Sequence, residues 1–438
     1  MRIPDGARPP RRRVLEAISG ALGVAALPGC ARVSTRSATR PLQVWGGVPE
    51  QDGPGEVIRA FERRHGSGTV QYTRFVNDER GNLKLDTALQ GGVDIDVYFT
   101  YSPDDMALRA GSGMAADLRP LVRQTPEFAS FEDTTAPRAY FDGAAITALA
   151  TTKEPNLVLF NDKLRQGNDL PLPRSWTVRD FIRSARALST AQRPGAYLLP
   201  NLPQIVFGPN HRYDSRGDSN FDDPLFVRYF RLVRDLIEQG VLFSWTEVLG
   251  RQLDAYQQNA FLDEEFAIWV TAPFSLRYLQ DSANYPHDFR VSCAPMPTMS
   301  EGSWNTGVFG NFIMINPKSP RQELAQEFVR FWILEGSEAM AKGGKIPVLG
   351  NVPEDRMIRA LLGPDSERYF DVDSFRRVLF DQDPRLFVDT ELTATPEITH
   401  AFEQQRDLCW LGERSAEDAV AAVHARAQAA IERYRQRG

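Results

Sequence analysis

The sequence predicts an α/β fold divided into two domains. Apolar runs of strand length alternate with stretches whose apolar residues recur at helical spacing, and most runs lead directly into a helix signal. The chain has 438 residues, more than one hydrophobic core supports even without an amino-terminal leader. Helix-start and helix-stop residues mark the transitions, so the elements can be taken in order.

Arg8, Arg11, Arg12 and Arg13 precede the small, apolar run Ala17 to Pro28, which is too short to cross a bilayer and ends at Leu27-Pro28-Gly29-Cys30. This reads as an export leader over residues 1–29, followed by a polar, flexible tether over 30–40. The leader holds five of the 51 basic and two of the 57 acidic residues, leaving 46 against 55 and a formal charge of −9. A mildly acidic chain without a basic cluster argues against nucleic acid as a partner. No later stretch is apolar enough to span a membrane. Cys293 and Cys409 lie far apart in sequence, and both a disulfide and two buried thiols are open readings.

The first domain, over 41–150, opens with the strand Leu42-Gln43-Val44-Trp45 and the glycines Gly46-Gly47. Val57, Ile58 and Phe61 share one helix face, and Val70 to Tyr72 gives the next strand. A helix around Leu83 to Leu89 stops at Gly91-Gly92 and leads into the strand Ile95 to Phe99. Ligands of open α/β sheets bind beyond the carboxyl ends of the strands. That rule selects Trp45 and Gly46 after the first strand, and Thr100 and Tyr101 after the third. Packing within the core is the competing reading for each.

Ala148 to Pro155 is the expected hinge into a second domain over 151–438, with part of 275–320 returning to the first. Leu157 to Asn161 is an apolar strand; Trp176 is read as core, beside a helix capped by Thr177 with Asp180 at its third position. Phe181, Ile182, Ala185 and Leu188 form that helix's buried face. A long helix runs from Asp223 to Gly240, and Phe266 to Val270 forms a strand. Near the end, Phe312 to Ile315 reads as a strand covered on both faces, and Ser319, Pro320 and Gln322 as the start of a helix whose buried residues include Leu324, Phe328, Phe331 and Trp332. Ser415 to Asp418 caps the closing helix.

Ala294-Pro295-Met296-Pro297, the turn around Gly307 and Gly310, the Glu327 to Phe331 helix and Gly344-Lys345-Ile346-Pro347, in this order and spacing, resemble the extracellular solute-binding proteins of ABC importers, in particular their carbohydrate-binding group. Ala60-Phe61-Glu62, Asp96-Val97-Tyr98 and Ala116-Asp117-Leu118 match that family's amino-terminal lobe. The resemblance implies a periplasmic-binding-protein-like fold: two lobes, each with a mostly parallel sheet flanked by helices, closing about a hinge on a small solute. It implies a lipoprotein whose Cys30 is the lipidated first residue, an extracytoplasmic location at the cell membrane, a monomeric state and an ABC permease as partner. It adds Trp269, Phe274, Trp304, Gly307, Gly310 and Asn311 to the candidate ligand contacts. Sugar rings stack on aromatic faces while amides and carboxylates take their hydroxyls, so a carbohydrate is the expected ligand. A polyamine, a glycerophosphodiester or a peptide is the alternative. No nucleophile elbow, metal-ligand spacing or Cys–His signature occurs, so no catalytic residue, metal or cofactor is expected; a carbohydrate-active enzyme with an unidentified carboxylate pair is a third reading.

Overall fold

The strands sort into two sheets, and the chain passes between them more than once. The computed structural model describes residues 40–132, 145–349, 352–382, 384–389 and 391–436. Cys30, the leader and nearly all of the tether lie outside the described residues.

The first sheet contains β1 (Leu42–Gly46), β2 (Val70–Arg74), β3 (Val97–Thr100), β4 (Leu149–Glu154), β8 (Val308–Ile315) and β9 (Ile346–Pro347), in the order β2-β1-β3-β8-β4-β9. The second has β5 (Leu157–Asn161) between β6 (Ile268–Thr271) and β7 (Val291–Ala294). The fold class is the expected one, but the strand directions are less parallel than the resemblance implies. Only β1 pairs in parallel, with β2 and β3; the other named pairs are antiparallel. The cause is chain entry: β1 to β4 run one way, while β8 and β9 come back from the second lobe and run against them.

Alternation along the first sheet sends Leu42, Val44, Val97, Phe99, Ile313 and Ile315 into one apolar layer. Trp45, Tyr98, Ala148, Ala150, Phe312 and Met314 enter the layer on the opposite face. A sheet covered on both faces accounts for the nearly continuous apolar runs of its strands. A single large core fills the second lobe, where Trp176 packs at 5.5 Å from Phe181 and gives its indole N–H to the Pro295 carbonyl.

Several helix ends follow the sequence signals. Thr177 and Asp180 form a reciprocal capping box at the helix Val178–Leu188. Asp223 accepts from the Leu225 N–H at the start of Pro224–Glu238, and Ser415 from the Asp418 N–H at the start of Ala416–Arg435. Each such cap is worth about 1 kcal/mol. Ser319 differs. Its hydroxyl accepts from the Arg321 N–H and donates to Asp96 (2.5 Å), and the helix itself runs over Gln322–Phe331. Asp96 is fully buried and gathers Arg40, the Gln43 N–H and Ser319, so the serine serves a buried carboxylate. Cys293 and Cys409 are free, buried thiols, and burial raises the pKa of both.

Candidate ligand cleft

The carboxyl ends of β1 to β4 and the start of β8 face the second lobe. Two chain crossings meet there, one between β4 and β5 and one between β7 and β8. Asn305 grips the first crossing from the second: its Oδ1 accepts from the Asn156 N–H (2.8 Å) and its Nδ2 donates to the Asn156 carbonyl (2.9 Å). Asn156 in turn donates to the Thr306 hydroxyl (2.8 Å). Gly307 completes the approach, since a Cβ there would lie 2.2 Å from the Glu154 carbonyl and 2.4 Å from the Asn156 nitrogen.

Beside the crossings lies a compact polar cluster. Lys345, 9 % exposed in its side chain, pairs with Glu154 at 2.8 Å, and the Glu154 carboxylate also accepts from Thr152 (3.1 Å) and from the Asn311 amide. Asn311 takes a left-handed backbone, φ 49°, a conformation that Asn tolerates better than most residues. Its carbonyl accepts from the Thr151 hydroxyl (2.8 Å), while its side-chain oxygen is buried without a partner among the described residues. Gly310 is less crowded: a Cβ added there would meet nothing closer than the Glu154 carboxylate at 3.5 Å.

Between the lobes opens a cleft of about 1090 Å³. The first lobe contributes Gly47, Pro49, Gln51 and Asp52 from the loop after β1, and Arg74 from the end of β2. The second contributes Arg277 and Tyr278 of the short helix Leu276–Leu279, then Gln280, Asp281, Asn284 and Tyr285, with Asn259 behind them. Tyr278 and Tyr285 meet edge to face at 5.2 Å, and Arg277 donates to the Tyr278 hydroxyl at 2.7 Å. Burial raises the pKa of Asp52, against the opposing pull of Arg277 and Arg74. Elsewhere the lobes touch through a relay in which Arg212 donates to the Thr399 hydroxyl (3.0 Å) and Thr399 to Asp104 (3.3 Å).

The candidate contacts chosen from sequence fall in several places. Gly46 lies under the Tyr72 hydroxyl, and Tyr101 accepts from the Gly47 N–H at 2.6 Å, so both support the loop that lines the cleft. Thr100 is fully buried and accepts from Arg109, itself held by Asp86 and Asn82. Trp45 sits in the apolar layer beneath Lys84, and Trp269, 1 % exposed, packs tilted against Phe261 at 5.3 Å with its N–H on Gln257. Phe274 packs against the Gly344 turn, one helical turn from Tyr278. Trp304 lies on Gly208, under the Arg385 guanidinium (3.9 Å) and beside Phe387. Gly307, Gly310 and Asn311 belong to the crossing and its polar cluster. Sequence reasoning passed over Tyr278, Tyr285 and Arg277. Their signal was position: an Arg-Tyr pair within a few residues of the end of the β6 strand.

A family model for bacterial extracellular solute-binding proteins matches residues 49–339. Among solved structures, the chain resembles a sugar transporter protein of Rhizobium etli in an open conformation, at 16 % identity and a TM-score of 0.71, over 89 % of this chain and 99 % of the other. An ABC substrate-binding protein of Listeria monocytogenes in complex with cycloalternan also scores 0.71, at 15 % identity, over 88 % and 97 %. A solute-binding protein of Thermotoga lettingae bound with α-D-tagatose scores 0.69, at 17 % identity, over 90 % and 100 %. At such identities the likeness concerns the fold. No curated protein sequence matches. With about two-thirds of its length under the family model and both lobes in place, the chain belongs to the bacterial extracellular solute-binding proteins of ABC transporters.

Proposed function

We propose that this protein captures a sugar, oligosaccharide or polyol between its lobes and delivers it to an ABC permease, from a position at the membrane surface held by lipidated Cys30. The observation that carries the reading is the composition of the cleft: two tyrosines at 5.2 Å, with Gln51, Asn259, Gln280 and Asn284 around them, on surfaces supplied by both lobes. Aromatic rings cover the C–H face of a sugar and amides pair its hydroxyls. A solute that touches both surfaces favours the closed arrangement by the difference in its affinity for the two states. Proteins of similar fold bind tagatose and cycloalternan, which supports a carbohydrate ligand here.

Thermal melting of the purified protein against monosaccharides, oligosaccharides and polyols tests this. A ligand at a hundred times its Kd should add about 2.7 kcal/mol of stability, and Tyr278→Ala should abolish the shift without lowering the ligand-free midpoint. Silence across the whole panel would overturn the reading.

A further inference from the structure

The cleft carries a charge pattern opposite to that of the chain. The sequence has a formal charge of −6, yet the cleft is lined by Arg74, Arg277, Lys342 and Arg359 against only Asp52 and Asp281. Lys342 is held by Glu56 at 2.8 Å. None of the three arginines forms an ion pair among the described residues; Arg277 and Arg74 act on Asp52 only at longer range, and Arg277 spends one donor on the Tyr278 hydroxyl, so guanidinium donors remain for a ligand. They also come from different parts of the fold: Arg74 ends β2 in the first lobe, Arg277 lies on the short helix after β6, and Arg359 on the helix Glu354–Leu362.

We propose that the solute is an acidic saccharide, one bearing a carboxylate or a phosphate group, whose anionic group is taken by the cleft arginines. This deepens the proposed function and rests on it. Guanidinium presents paired donors in a planar fork that matches carboxylate and phosphate geometry, and such charge-assisted bonds are stronger than those to neutral hydroxyls. An anion held by Arg74 and Arg277 together draws the two lobes toward each other, so the charged group contributes to closure as well as to affinity. Asp52 and Asp281 accept from the sugar's hydroxyls, and the tyrosine pair covers a ring face. A neutral sugar would fill the same volume and leave the arginines to water.

Titration calorimetry with matched pairs tests the inference: glucose against glucuronate and glucose 6-phosphate, galactose against galacturonate, and a neutral disaccharide against digalacturonate. The acidic member of at least one pair should bind about tenfold or more tighter than its neutral partner, and the preference should shrink as salt is raised. Arg277→Gln and Arg359→Gln should each remove the preference while leaving the ligand-free melting midpoint in place. The phosphate and uronate arms distinguish the two sources of the anion. If the neutral members bind as tightly as the acidic ones, the inference fails and the saccharide reading stands. If no member of any pair binds, both fail.

Discussion

Asn305 holds the backbone of Asn156 at both its N–H and its carbonyl, at 2.8 and 2.9 Å, and so joins two of the chain segments that cross between the lobes. The same Oδ1 accepts from the Gly307 N–H at 2.7 Å. One side chain thus stands in for a piece of sheet ladder at the point where neither sheet continues. Asn305→Ala leaves these backbone groups without their partner and should cost about 1–3 kcal/mol of stability, read as a lower midpoint in chemical denaturation.

The two glycines of the returning segment should behave differently. At Gly307 an added Cβ meets backbone atoms of residues 154–156 at 2.2 to 2.6 Å, and backbone cannot step aside without moving the crossing. At Gly310 the nearest atoms are side-chain atoms at 3.5 Å and beyond. Gly307→Ala should therefore depress the melting temperature strongly, whereas Gly310→Ala should leave it nearly unchanged. Equal effects would show that the crossing is looser than the packing implies.

Lys345 and Glu154 form a largely buried pair, and the value of such a pair shows mainly when one partner is lost. Lys345→Met strands the Glu154 carboxylate with only neutral donors, and should cost roughly 3 kcal/mol. The double variant Lys345→Met with Glu154→Gln should recover much of that loss. A double-mutant cycle by urea denaturation measures the difference.

His211 is buried beside Arg212, and burial first, then the neighbouring positive charge, lowers its pKa from 6.5 to about 3. Its folded-state pKa is below its unfolded one, so the unfolded chain takes up a proton that the folded chain refuses. Stability from this group is complete above pH 6.5 and is lost as the pH falls toward 3, with a slope of up to about 1.4 kcal/mol per pH unit. In His211→Gln, stability measured from pH 7 to 4.5 should fall less steeply than in the unaltered protein.

Much of the fold was legible because caps and periodicity are local properties. Thr177 with Asp180, Asp223 and Ser415 announce their helices through bonds spanning three residues or fewer. Ser319 misleads for the complementary reason: its hydroxyl answers to Asp96, more than two hundred residues away in sequence. The cleft was less legible still. An aromatic beside a glycine or at a strand end reads as a ligand platform, yet alternation along β1 turns Trp45 into an apolar layer, and β6 carries Trp269 into the second core. Tyr278, Tyr285 and Arg277 sit on short, irregular chain after β6, where no periodicity indicates which side faces the other lobe.

The most direct test of solute capture between the lobes is small-angle X-ray scattering during titration with a saccharide found by thermal melting. The radius of gyration should fall as the ligand is added, with the same midpoint as the calorimetric titration, and Tyr278→Ala should abolish the change. A ligand that saturates the protein in calorimetry while the radius stays constant would contradict closure of the lobes on the solute.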